Sequence, residues 1–109
     1  MKIYIPANWS IRLTYTNENP LPHGAVLIKP NVSVPSIQLS QDGQVIVQLP
    51  QGALSGNYLT SGQSATAFSP PLQIGLYWIA CPYPGHAASG MWVDVIVAAN
   101  VTAPYYVVT

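Results

Sequence analysis

Apolar side chains alternate with polar ones over short windows that proline and glycine separate. In IRLTYT, Ile11, Leu13 and Tyr15 alternate with Arg12, Thr14 and Thr16, a period of two that predicts a half-buried β-strand. AVLIK at 25–29, QVIVQL at 44–49, LYWIA at 76–80, MWVDVIVA at 91–98 and YYVVT at 105–109 are rich in β-branched and aromatic residues and read as further strands. Weaker strands are expected near Tyr4 and over 65–68. No window holds a helical period over three turns. The stretch 52–64 is the least regular and is expected to be a loop or a short irregular crossover. Many short strands at this spacing predict an all-β sandwich or barrel, and 109 residues suit a single domain, 1–109, with a modest core.

Composition narrows the function. Half the residues are apolar, which excludes disorder, yet only 6% are charged, against about a quarter in an ordinary chain. Asn, Gln, Ser and Thr carry the polarity instead. The formal net charge is zero, and Lys2, Arg12 and Lys29 are too few to neutralise a phosphate backbone, so a nucleic-acid partner is not expected. Glu18, Asp42 and Asp94 are the only carboxylate side chains. Acid would therefore create little charge imbalance, which fits an acid-exposed protein and equally an ordinary neutral secreted domain. A single cysteine forms no internal disulfide. Three sequons, Asn8-Trp9-Ser10, Asn31-Val32-Ser33 and Asn100-Val101-Thr102, would fit an exported protein. The start, MKIYIPANWS, lacks the long apolar run of a signal peptide, and no stretch approaches membrane-spanning length. Any leader or membrane anchor of the native protein is expected to lie outside this chain.

The chemistry is concentrated in CPYPGHAASGM, residues 81–91. It holds the one cysteine, Cys81, one of two histidines, His86, and one of two methionines, Met91, each five residues apart. Two prolines and two glycines between Cys81 and Met91 predict a loop of fixed shape joining two strands. The other histidine, His23, stands just before the 25–29 strand, again at a loop boundary. If both loops meet at one pole, the donors are two imidazoles, one thiolate and one thioether. That set suits copper, with two nitrogens and a thiolate in a plane and a weak axial sulfur. Singly, each residue would be an ordinary core or surface group; together they point to metal. Trp78 and Trp92 are expected to pack the core rather than relay electrons. Tyr83 is expected either to shield the metal or simply to pack.

Two stretches then carry a resemblance to a known family. PLPHGAVLI and GLYWIACPYPGHAASGMWVDVIV resemble the ligand segments of cupredoxins, the small blue copper proteins that include plastocyanin, azurin, rusticyanin and sulfocyanin. The Cys-x4-His-x4-Met spacing, with Trp92 after the methionine, is most similar to the rusticyanin and sulfocyanin branch, which is associated with acidophiles. The resemblance implies a Greek-key β-sandwich of seven to eight strands. It implies His23, Cys81 and His86 as equatorial ligands and Met91 as the axial one. The backbone N–H groups of Gly24 and Tyr83 would donate to the thiolate. Relatives often carry Asn after the first histidine and Ser or Thr after the cysteine; here those positions are Gly24 and Pro82, so that side-chain bridge cannot form.

The expected function is that of a mononuclear type 1 copper protein that shuttles single electrons in an extracytoplasmic respiratory chain. It is not expected to be an enzyme, since four protein donors leave no open position and one cysteine with two histidines cannot build a dinuclear or multicopper centre. The alternative is a copper storage or delivery module of the same fold. The residues around His86 (Pro82, Pro84, Gly85, Ala87 and Ala88), with Leu21 and Pro22 beside His23, predict a flat uncharged patch. A redox protein such as a cytochrome or terminal oxidase would dock there on a monomer, weakly and briefly.

Overall fold

The computed structural model describes residues 1–108. Eight strands run in chain order: β1 (Lys2–Pro6), β2 (Arg12–Thr16), β3 (Ala25–Pro30), β4 (Gly43–Leu49), β5 (Ser64–Phe68), β6 (Gly75–Ala80), β7 (Trp92–Ala98) and β8 (Tyr105–Val107). Every expected strand is present. Met91 falls just outside β7 and Val108 just outside β8, and Thr109 lies outside the described residues. Two 3-10 turns, Leu39–Gln41 and Ala53–Ser55, interrupt the long connections. The sequence pattern did not single out the first.

Six strands form one sheet in the order β4-β3-β6-β7-β1-β8, and β2 pairs with β5 in a second. The consecutive pairs β3/β4 and β6/β7 are antiparallel, but β3 and β6 are distant in sequence and β1 runs parallel to β7, so long crossovers join these pairs into one sheet. Between the sheets Leu27, Val47, Leu49, Tyr77, Val95 and Val97 are buried, with Leu13, Tyr15, Ala65 and Ala67 of the small sheet packed over them. The alternation read in IRLTYT has this cause. Leu13 and Tyr15 face the core, while Thr14 and Thr16 point outward and bond to Thr66 and Ser64 at 3.0 and 2.7 Å.

The unbroken apolar run of β3 has a different cause: both of its faces are covered. Leu27 faces the small sheet, while Val26 and Ile28 turn the other way onto Trp78. That outer face is roofed by the connection 31–42, which sends Leu39 against Ala80 and Ala87, and by Leu54. Trp78 and Trp92 meet there, ring centroids 5.1 Å apart and tilted by 56°, so they pack as expected. An extra residue in β4 opposite Leu27 and Ile28 makes a β-bulge. At the start of β4, a side chain on Gly43 would collide with the Lys29 carbonyl, so only glycine lets the two strands close there.

Candidate metal centre

The hairpin of β6 and β7 ends with Ala80 paired to Trp92. The next rung sets Cys81 against Met91, and the Cys81 N–H donates to the Met91 carbonyl at 3.1 Å. Alternation gives Cys81 the same face as Tyr77 and Ile79, the face toward the small sheet, and it is buried. The loop between is a string of turns: His86 N–H donates to the Tyr83 carbonyl at 3.0 Å, and Met91 N–H to the His86 carbonyl at 3.1 Å. Gly85 and Gly90 supply φ of 83° and 110°, backbone positions that side chains disfavour. Gly85 N–H also donates to the Ile37 carbonyl at 3.0 Å, tying the loop to the 31–42 connection.

His23 is held from another direction. Its N–H donates to the Leu59 carbonyl at 3.1 Å and its carbonyl accepts from Leu59 N–H at 2.8 Å, an isolated bridge to the irregular 52–64 stretch. Behind it lies Asn17, 0% exposed. Its Nδ2 donates to the carbonyls of Leu21 and Leu59 at 2.9 and 2.7 Å, and its Oδ1 accepts from Asn19 N–H at 2.9 Å. Neither Asn17 nor Leu59 was singled out from the sequence. The available signal was local: Asn-x-Asn before proline favours Asx turns. The two ligand loops touch where Gly24 faces Pro82, since a side-chain carbon on Gly24 would lie 3.3 Å from Pro82 Cγ and 2.9 Å from the Leu49 carbonyl. Backbone contact at a glycine thus stands where the side-chain bridge of relatives was expected to be missing.

These supports bring the donors together. The Cys81 Sγ lies 3.7 Å from Nδ1 of His23 and 3.5 Å from Nδ1 of His86, and one donor atom from each residue falls within 4.8 Å of the others. Metal bonds of about 2.0 Å to nitrogen and about 2.3 Å to sulfur, opened to roughly 110–120°, span about 3.5–3.7 Å. Both sulfur-to-nitrogen distances therefore fit one ion shared by Cys81 and the two imidazoles. The imidazole rings sit 4.9 Å apart. Tyr83 stacks on His86 at 4.4 Å, and Tyr58 lies behind Tyr83 at 5.1 Å. Met91, 36% exposed, borders the cleft of both imidazoles on one side and the cleft beneath Cys81 on the other. The hydrogen-bond partners of Sγ among the described residues are the two Nδ1 atoms; the Gly24 and Tyr83 N–H groups are not among them.

The expected surface patch needs correction. Ala87 is 2% exposed, packed against Leu39 and Ala80, and Pro82 is buried. The surface around His86 is made instead by Leu21, Pro84 and Ala88, which are exposed, with Asn19, Ser89 and Met91 at the cleft. The loop's Cα path explains the difference, because Ala87 opens the last turn and points inward under it.

Burial, and then the neighbouring His86, hold the His23 pKa below the ordinary histidine value. Burial, and then Cys81, push Tyr15 up. The folded metal-free chain keeps His23 neutral where the unfolded chain already takes up a proton. The unfolded state then binds more protons, so stability falls as pH drops below about 6.5 and levels off below the depressed folded value. The urea midpoint of the metal-free protein is expected to fall across that window, and to fall less in His23→Gln. Equal falls in both proteins would assign the effect to another group.

A two-sheet β-sandwich that brings a histidine, a cysteine and a second histidine together at one pole has the architecture of a cupredoxin. Rusticyanin from Thiobacillus ferrooxidans superposes with a TM-score of 0.69 at 20% identity, over 87% of this chain and 59% of that one. Dithionite-reduced auracyanin from Roseiflexus castenholzii superposes at 0.65 and 22% identity, over 89% and 83%. The sulfocyanin (SoxE) domain model matches residues 1–108, and the chain belongs to that family. It is 39% identical over 111 residues to sulfocyanin of Sulfolobus acidocaldarius, covering 97% of this chain and 55% of that protein. The chain thus spans about half the length of this relative.

Proposed function

We propose that this chain is a type 1 copper protein that passes single electrons between redox partners outside the cytoplasm. The observation that carries this reading is the placement of two imidazole Nδ1 atoms 3.5 and 3.7 Å from the one thiol. His23, Cys81 and His86 would hold copper, and Met91 would supply a fourth, weaker sulfur donor. A bound copper would supply a one-electron couple and a thiolate-to-metal charge-transfer colour. The residues do the rest. The Asn17–Leu59 clamp and the stacked Tyr83 fix both rings, so little has to move when the charge changes. Four protein donors leave no open position, which argues for electron transfer rather than bond making.

The family match and the fold support the copper assignment. A single domain acting as a monomer is the simplest assembly consistent with a complete donor set in one chain. Adding one equivalent of Cu(II) to the protein tests the reading: an intense visible band, bleached by a reductant and restored by an oxidant, is expected. A colourless tight Cu(I) complex that hands its metal to an acceptor would point instead to storage or delivery.

Met91→Leu is expected to keep the colour and raise the reduction potential, because losing a donor disfavours the more charged ion. Voltammetry of both proteins checks this, and an unchanged potential would place another group on the axis. Partner docking is proposed at the uncharged surface of Leu21, Pro84, Ala88 and the edge of His86. Ala88→Glu puts a charge there without entering the core. It is expected to slow electron exchange with a redox partner several-fold while leaving the spectrum intact. An unchanged stopped-flow rate would move the docking site elsewhere.

A further inference from the structure

The six asparagines of the chain fall into two groups. Asn17, Asn19 and Asn57 all lie beside the donor pole or the segments that build it. Each uses its side-chain amide internally: Asn17 on Leu21 and Leu59, Asn19 on Leu21 N–H, Asn57 on the Gln51 carbonyl. None has Ser or Thr two residues on. Asn8, Asn31 and Asn100 differ from them in their side-chain bonding and in the residue two positions on; all three are exposed and lie outside the strands. Among the described residues, neither their side-chain amides nor the hydroxyls of Ser10, Ser33 and Thr102 make a hydrogen bond. Each of those hydroxyl residues is also exposed.

The sheet register puts all three at one end. Asn8 follows the end of β1 and Asn100 the end of β7, and these strands are parallel with Pro6 beside Ala98. Asn31 follows the end of β3, which runs the same way as β7 because each is antiparallel to β6. His23 precedes β3, and Met91 precedes β7. Six or seven residues of strand, roughly 20 Å, therefore separate every sequon from the donor cluster. The Asn31 N–H donates to the Asp42 carbonyl at 2.8 Å, anchoring that sequon at the base of the 31–42 connection.

The same end exposes apolar side chains. Trp9 and Val32 are the middle residues of two sequons, Phe68 pairs with Arg12 at the end of β5, and Ile74 leads into β6; all four are exposed. With three basic and three acidic side chains in the whole chain, charge repulsion does little to keep such surfaces apart.

We propose that Asn8, Asn31 and Asn100 carry N-linked oligosaccharides, which cover the far pole and leave the donor pole bare. The donor is a lipid-pyrophosphate-linked oligosaccharide. The asparagine amide nitrogen displaces the pyrophosphate from the anomeric carbon. One C–N bond forms, one C–O bond breaks, the amide gives up a proton, the lipid pyrophosphate leaves, and nothing is oxidised or reduced. The +2 hydroxyl is the acceptor signal, and the attached sugar is bulky and solubilising. This inference does not rest on what the donor cluster binds.

Fragmentation mass spectrometry of peptides from the protein isolated from its own cells tests it. Oligosaccharide on all three of Asn8, Asn31 and Asn100, with Asn17, Asn19 and Asn57 bare, is the expected result. A bare asparagine at any of the three would overturn it. In the same cells Ser33→Ala is expected to remove one oligosaccharide mass from the intact protein and leave the fold unchanged by circular dichroism. An unchanged intact mass in that variant would also count against it.

Discussion

Cys81→Ser is expected to abolish the visible colour of the copper-treated protein completely and to weaken copper binding by more than about 100-fold. The first effect follows from the donor itself. Charge transfer in the visible needs a thiolate, and a serine hydroxyl neither ionises readily nor offers a polarisable sulfur. The second follows from geometry. Cys81 is the one donor within 3.7 Å of both rings, so its loss removes the group on which the other two converge. Removing partners that merely stand behind a metal ligand already costs about 10–100-fold, and removing the ligand costs more. The side chain is buried and nearly isosteric with serine, so circular dichroism should show an intact sandwich. An absorption spectrum and a competition titration with a Cu(I) chelator check both halves. Retained colour would mean that Cys81 does not bind the metal.

Asn17→Ala is expected to cost about 2–4 kcal/mol of stability in the metal-free protein, because the Leu21 carbonyl and the Asn19 N–H lose their partner in or near the interior. The larger consequence is on His23. The Asn17 amide holds both the Leu21 segment entering the histidine and the Leu59 bridge that pairs with it. With that clamp gone, the His23 ring loses its fixed position over Sγ, and copper affinity is expected to fall about 10–100-fold. Urea unfolding and the same chelator titration measure the two effects. A destabilised variant with unchanged copper affinity would make Asn17 a structural residue only.

Most of the strands were legible because their pattern has a local cause. Alternation in IRLTYT follows from one buried face, and the continuous run AVLI follows from two. The cysteine–histidine–methionine loop was legible because its spacing lies within one hairpin. What could not be read was support from afar. Asn17 acts through Leu59, forty-two residues away, and nothing in a turn-like TNENP segment marks that contact. Leu39 and Ile37 reach the ligand loop only because the 31–42 connection folds back over the sheet. The same fold-back buries Ala87, which a one-dimensional reading of GHAASG placed on the surface.

X-ray absorption at the copper edge, recorded on the oxidised and the reduced protein, tests the central claim most directly. One short sulfur near 2.3 Å and two nitrogens near 2.0 Å, scarcely moved between the two states, would match the cage built by positions 23, 81 and 86. A shell of oxygens, a missing sulfur, or a large change of coordination on reduction would contradict it.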